Sequence, residues 1–403
     1  MTSTPTNTGP LQDLRVIEMG TLLAGPFCGQ LLGDFGAEVI KVEPPNQGDP
    51  MRDWGQEKAH GKSLWWPVIG RNKKSVTLNL REKEGQEIVY ELVSKTDFLL
   101  ENFRPGTMER WGLGYEQLKK INPKLIMIRV SGYGQSGPYS KRAGFGAIGE
   151  AMGGMRYVCG DPSTPPSRMG ISIGDSLAAT FACVGALSAL HHRERTGEGQ
   201  IVDSALYEAV LNMMESLITE YTQADYIRER QGSILPNVAP SNVYPTKDGL
   251  DFLIAANQDT VFKRLAEAMG EPELATDERY ATHMARGKHQ QLLDDHIGEW
   301  SCNKTADELT AIMDEHGIPA GKIYRAPEML EDPHFKARNA IIKTMHPEFG
   351  ELLMQNVAPK LSATPGSVRL PAPELGQHNA DVYKGILGYD DQRMLQLQER
   401  NII

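Results

Sequence analysis

Asp175 stands in the segment RMGISIGDSLAAT, directly after a glycine and at the start of an alanine-rich stretch that reads as a helix. A carboxylate in that place has two readings. An aspartate that opens a helix is ordinarily an N-cap, its side chain accepting a backbone N–H at a gain of about 1 kcal/mol. The positive end of the helix dipole also favours the ionised form, which a carboxylate nucleophile needs. One side chain can hold both roles.

Two other groups of residues have types and spacing suited to an anion. GTLLAGP, residues 20–26, separates a short apolar run from an amphipathic one. Its backbone N–H groups can meet a phosphate or a carbonyl oxygen, or its glycines can serve the turn alone. RNKKS, residues 71–75, is followed by Arg81, by ENFRPG at residues 101–106 and by Arg110. Arg71, Lys73 and Lys74 either cradle phosphates through charge-assisted bonds or belong to a solvated loop. Cys28, Cys159, Cys183 and Cys302 are far apart, without a CxxC or a metal-ligand spacing, so no metal site is expected and the thiols read as incidental in a reducing compartment.

The chain around these residues has 403 amino acids, long enough for two domains, with 40% hydrophobic and 23% charged residues. A net charge of −10 argues against nucleic acid or an anionic membrane as the main partner. The opening MTSTPTNTGP carries neither the cationic start nor the apolar block of a signal peptide. No uninterrupted apolar run approaches the roughly 18 residues of a membrane span. A cytoplasmic protein is expected.

Strand and helix periodicities alternate from the start. Residues 14–19 read as a strand, 27–35 as a helix and 38–42 as a strand, a βαβ unit. Strands at 75–80, 97–101 and 125–130 and helices at 83–93 and 115–121 continue the pattern, which predicts an α/β, doubly wound, Rossmann-like core. The Asp175 helix is expected over 175–192, then a strand at 200–203 and one helix over 205–221. Prolines at 236, 240 and 245 mark a change of character. The expected division is a large domain over 1–225, a smaller α/β domain over 226–327 with a strand at 250–255 and a helix near 305–316, and a Pro-rich return to the large domain over 328–403.

Taken in order, LRVIEMGTLLAGPFCGQLLGDFGAEVIKVEPP, RNKKSVTLNL, ENFRPGTMERWGLGYE, SGYGQSGP, GDSLAAT, RTGEGQIVDSALYEAVL, VYPTKDG and LGQHN resemble the class III CoA-transferase family, which includes formyl-CoA:oxalate and carnitine CoA-transferases. The resemblance implies a large domain built from both termini, a small inserted domain and an interlocked homodimer, each subunit a ring threaded through the other. It places Asp175 on the nucleophilic aspartate. There the carboxylate passes through a mixed anhydride and an aspartyl-CoA thioester. The substrates are an acyl-CoA and a small carboxylic acid, and no prosthetic group is needed. Carried over by motif, Thr21, Leu22, Leu23 and Ala24 run along CoA. Asn102 and Phe103 line its path, with Leu78, Arg81 and Arg110 near the nucleotide and Phe145 facing the cofactor. Arg71, Lys73 and Lys74 are further phosphate candidates. Asn257 and Gln258 fall on a small-domain loop expected to approach the site, and Arg142 or Arg168 would hold a second carboxylate of the acid. Relatives in this style often handle dicarboxylates with succinyl-CoA as donor.

The segment RAGFGAIGE departs from the pattern. Relatives often carry an acid after the aromatic, where this chain has Gly146; the nearest carboxylate is Glu150, one turn later if the segment is helical. α-Methylacyl-CoA racemases share the aspartate but pair it with a histidine where Phe145 stands, which disfavours proton transfer as the reaction. A non-catalytic CoA-binding protein is the third reading, against which Asp175 itself speaks.

Overall fold

The computed structural model describes residues 9–403, so most of the opening segment read for targeting signals lies outside the described residues. The chain divides into two compact units. One takes the described residues up to Met155 with Met169–Leu217 and Lys336–Ile403; the other takes Arg156–Arg168 and Ile218–Phe335. The second unit thus begins earlier than position 226, ends later than position 327, and takes an earlier piece of chain as well.

The first unit is built on six parallel strands: β1 (Arg15–Glu18), β2 (Glu38–Glu43), β3 (Lys73–Thr77), β4 (Phe98–Glu101), β5 (Ile126–Ser131) and β6 (Ile201–Ala205). Their order across the sheet is β3-β2-β1-β4-β5-β6. Sequential strands run outward from β1 on one side, and the order reverses between β1 and β4. This is the doubly wound arrangement expected from the alternating periods.

Period-two alternation places neighbours on opposite faces. Val16, Phe98, Leu100 and Ile128 pack with α1 (Ala24–Asp34) and α5 (Ile173–Thr196), whereas Ile17, Leu99 and Met127 pack with α2 (Lys83–Val93) and α3 (Tyr115–Ile121). Helix α5 starts two residues before the expected boundary. Ala178, Ala179, Ala182, Ala186 and Ala189 form its buried stripe, and their small side chains let it lie close against α1. By length and composition α5 could cross a membrane, with a mean hydropathy of 1.5 over an 18-residue window. In the fold it forms a layer of the first unit.

The helix expected over 205–221 is interrupted. α6 (Leu206–Asn212) ends, Glu215 takes the left-handed φ of 53°, and a separate helix follows over Leu217–Ala224. The interruption falls where the chain leaves the first unit, so its position follows the unit boundary and not a breaker in the sequence.

The Pro-rich return lies along β3, the edge strand of the sheet. Asn379 accepts from Thr77 N–H (2.9 Å) and donates to Thr77 Oγ1 (2.8 Å), while His378 Nδ1 accepts from Ser75 N–H (3.2 Å). The LGQHN motif therefore covers an edge that would otherwise expose a row of backbone donors. The second unit has a three-stranded antiparallel sheet of β7 (Ser241–Pro245), β8 (Asp251–Ala255) and β9 (Ala320–Lys322), packed by helices that include α7 (Asp259–Met269).

Candidate active site

The reversal of strand order opens a crevice at the carboxyl ends of β1 and β4, where doubly wound folds bind ligands. The loops leaving these two strands are tied together by one side chain. Asn102 accepts from Thr21 N–H at 2.8 Å and donates to Thr21 C=O at 2.9 Å. Both ends of its amide are thereby occupied with the turn, so Asn102, expected to line a CoA path, holds the Thr21 loop in place. Gly25 permits this closeness, since an added Cβ would stand 3.2 Å from the Asn102 amide carbon.

Leu22, next in the turn, holds a left-handed φ of 64°, a conformation that costs a side-chain-bearing residue free energy. Asp49 retains it there by accepting from Leu22 N–H at 3.0 Å, and Lys41 Nζ donates to Gly20 C=O at 2.8 Å. Lys41 is fully buried and pairs with Glu18 (2.9 Å) and Asp49 (2.7 Å); Lys73, also fully buried, pairs with Glu18 (2.8 Å). Burial pulls the Lys41 ammonium down, but Asp49, Glu18 and Glu43 outweigh it and the net shift is upward. Burial likewise raises Asp49 and is overridden by Lys41, leaving the carboxyl below its usual range. Burial lowers the Lys73 ammonium despite Glu18.

Buried charges of this kind are stable only as a set. Lys41→Met is therefore expected to cost about 3–5 kcal/mol, read from urea unfolding, by stranding Glu18 and Asp49. A loss under about 1 kcal/mol would show that the network does not hold the turn.

This network corrects the expectation for RNKKS. Arg71 is buried against Asp34 (Nε–Oδ1 3.1 Å) and donates to Gln355 C=O; Lys73 points inward to Glu18 and Pro26 C=O; Lys74 pairs with Glu38 at 2.7 Å. The three cations neutralise the protein's own carboxylates and are not gathered for a phosphate.

A cavity of about 490 Å³ lies in the first unit at the β1 and β4 loops, and Thr21, Leu78, Arg81 and Phe103 line it together. Arg104 and Trp111, which sequence reasoning missed although both lie in a quoted motif, complete its chemistry. Phe103 and Trp111 meet edge to face with centroids 5.2 Å apart, an aromatic wall for a base or an alkyl arm. Arg81 and Arg104 are exposed, and neither forms an ion pair among the described residues. Arg110 donates to Thr107 Oγ1 at 2.9 Å, and Thr107 also lines the cavity. Below, burial pushes the Glu101 carboxyl up to about 7 against the pull of Arg129. Glu101 accepts from Phe103 N–H at 2.7 Å, which fixes the start of this loop.

Asp175 is not the cap of α5. Ser172 occupies the cap position, and Asp175 is the third helical residue, partly accessible in the first turn. Its carboxylate feels the helix N-terminus without serving as an ordinary N-cap. The segment that carries Gly146 is helical, α4 (Gly146–Met152), and it lies directly against Asp175. A Cβ added at 146 would overlap Asp175 Oδ2 and stand 2.7 Å from its Cγ. The nucleophile candidate thus fills the space in which a side chain at 146 would begin. Glu150, one turn further on, is buried, with its Cγ 3.4 Å from where a Cβ on Gly174 would lie.

Among the remaining candidates, Phe145 stands at the cap position before α4 and is 67% exposed. The Arg142 guanidinium stacks on Tyr139 at 3.7 Å. Arg168, Asn257 and Gln258 belong to the second unit, where buried Arg286 holds Asn257 C=O at 2.7 Å and Gln258 precedes α7. Asp49 and Lys41 were not anticipated; nothing in EVIKVEPP distinguishes a lysine that turns into the core from one that faces water.

Comparison with known proteins adds to this geometry. The family described as CoA-transferase family III matches residues 11–379. A succinyl-CoA–D-citramalate CoA-transferase of Chloroflexus aurantiacus is 62% identical over 98% of this chain and 98% of its own. The beta subunit of a succinyl-CoA–L-malate CoA-transferase of the same organism is 43% identical over 99% of each chain. A solved CAIB/BAIF family protein from Brucella suis superposes with a TM-score of 0.83 at 34% identity, covering 94% of this chain and 100% of that one.

Proposed function

The chain belongs to CoA-transferase family III and is a CoA-transferase, and on that premise we propose that it moves CoA from succinyl-CoA to a small hydroxydicarboxylic acid through the Asp175 carboxylate. The observation that carries the site assignment is the placement of Asp175, partly accessible in the first turn of α5 and pressed against Gly146.

In this reading an Asp175 carboxylate oxygen attacks the thioester carbonyl of the donor. The C–S bond breaks, giving a mixed succinyl-aspartyl anhydride and CoA thiolate. The thiolate then attacks the aspartyl carbonyl, releasing succinate and leaving an aspartyl-CoA thioester. The acceptor carboxylate attacks that thioester and expels the thiolate again, which finally attacks the acceptor's carbonyl and frees Asp175. One thioester replaces another, so the demand is on oxyanion stabilisation and the exclusion of water. Backbone N–H groups at the starts of α1 and α5 are the donors suited to that task.

The acids named for the relatives, citramalate and malate, are both hydroxydicarboxylates, which supports the same class here. Arg142, an exposed arginine of the first unit, is the proposed partner of the distal carboxylate. A panel of carboxylic acids offered with succinyl-CoA and read by mass spectrometry tests this: D-citramalate and malate should be converted to their CoA thioesters ahead of monocarboxylates of equal length. Preference for a monocarboxylate would overturn the substrate class.

The interlocked homodimer belongs to the same proposal. It is supported by an apolar stripe on α5, with Phe181 37%, Val184 55% and Leu187 42% exposed at helical spacing. Sedimentation at twice the 44.6 kDa chain mass is the expected result, and a monomer at micromolar concentration would contradict it.

A further inference from the structure

The carboxyl terminus of the chain forms part of the cavity at the β1 and β4 loops. Helix α8 (Asp391–Glu399) is followed by Arg400, Asn401 takes the left-handed φ of 54°, and Ile402 and Ile403 turn back into the core at 3% and 7% exposure. Ile402 C=O accepts from Asn79 N–H at 2.7 Å, which ties the tail to a segment lining the same cavity. Asn401 itself lines it.

Asn46 Nδ2 donates to Asn401 Oδ1 at 2.8 Å, which takes one of that oxygen's two acceptor positions and leaves both protons on Asn401 Nδ2 to offer a ligand. The half of a CoA thioester that occupies this cavity is set by what surrounds it. Arg81 and Arg104 suit phosphates and Phe103 and Trp111 suit a base, whereas Asp175, to which the acyl end must come, is not among the lining residues.

The geometry points to Asn401 as a binding residue for the nucleotide half of CoA, its Nδ2 donating to an oxygen or nitrogen acceptor there. This inference rests on the reading of the cavity as the CoA site. The last residues of the chain would then serve the ligand as well as the core, so that docking of the tail completes the binding wall.

The test is Asn401→Gly, a substitution the left-handed backbone accommodates. Calorimetry with free CoA, and steady-state kinetics with succinyl-CoA and with succinyl-pantetheine, which lacks the nucleotide, supply the readouts. CoA affinity should fall about fivefold, the value of one uncharged hydrogen bond, with the kinetic loss confined to KM for succinyl-CoA and absent for succinyl-pantetheine. Asn401→Asp should weaken CoA further, because a carboxylate replaces the donor beside phosphates. Unchanged CoA affinity in Asn401→Gly overturns the inference, as does an equal loss with the truncated thioester. Phe103→Ala and Arg104→Ala separate the levels. If they weaken CoA while Asn401→Gly does not, only the role of Asn401 falls. If they bind CoA as the wild type does, the cavity is not the CoA site, and the reading beneath the inference falls with it.

Discussion

Asp175→Asn is expected to leave the protein folded and to lower CoA transfer by about 10⁴-fold or more, the scale on which loss of a nucleophile is felt. The two side chains have the same shape. The structural cost is the lost attraction between a first-turn carboxylate and the helix N-terminus, roughly 0.3–1 kcal/mol, too little to unfold the chain. Activity should therefore vanish while the thermal transition barely moves. Wild-type enzyme given succinyl-CoA should also accumulate a species that borohydride reduces and hydroxylamine releases, and peptide mass mapping should place the modified residue at 175. Transfer retained at wild-type rate in Asp175→Asn would end the covalent mechanism.

Gly146→Ala carries the second large effect, and it separates geometry from stability. Position 146 opens α4 without a positive φ, and the nearest atoms an added Cβ meets all belong to the movable Asp175 side chain, so the fold should change little in stability. The new Cβ nevertheless overlaps Asp175 Oδ2. The carboxylate must rotate away, and a displacement of about 1 Å at a reacting group costs on the order of 10²-fold in rate. The loss should fall on kcat and leave KM for the CoA thioester nearly unchanged, because position 146 is not among the residues lining the cavity proposed for CoA. A wild-type kcat in Gly146→Ala would show that Asp175 reacts from another rotamer.

The doubly wound order was legible because its signal is local and repeated. Short apolar runs such as LRVIEM and EVIKV alternate with amphipathic stretches, and each βαβ unit admits essentially one handedness. Helices over Lys83–Val93 and Tyr115–Ile121 fall on the expected residues for that reason. Of the proposed site, Asp175 and the Thr21 turn could be named as candidates from GDSLAAT and GTLLAGP together with the family resemblance. The aromatic and cationic lining needed the cavity to be seen: Arg104 and Trp111 lie in the quoted ENFRPGTMERW, yet nothing local marks them as facing the same space as Leu78.

Where a charged side chain points was decided elsewhere. RNKKS reads as an anion cradle or a solvated loop until Glu18 and Glu38, brought alongside by the parallel pairing of β1, β2 and β3, and Asp34, at the end of α1, are seen to pair with it. Asn401 gives no sign of a ligand role until the tail docks beside Asn79. By itself the amino-acid sequence determined the succession of elements and the residue types at the turn and at the proposed nucleophile, because periodicity and turn chemistry act between near neighbours. Only the tertiary structure decided which cations are spent inside the protein, which remain for a phosphate, and how closely Gly146 confines Asp175. Those outcomes depend on ångström-scale proximity between segments far apart in the chain, and no local pattern encodes that distance.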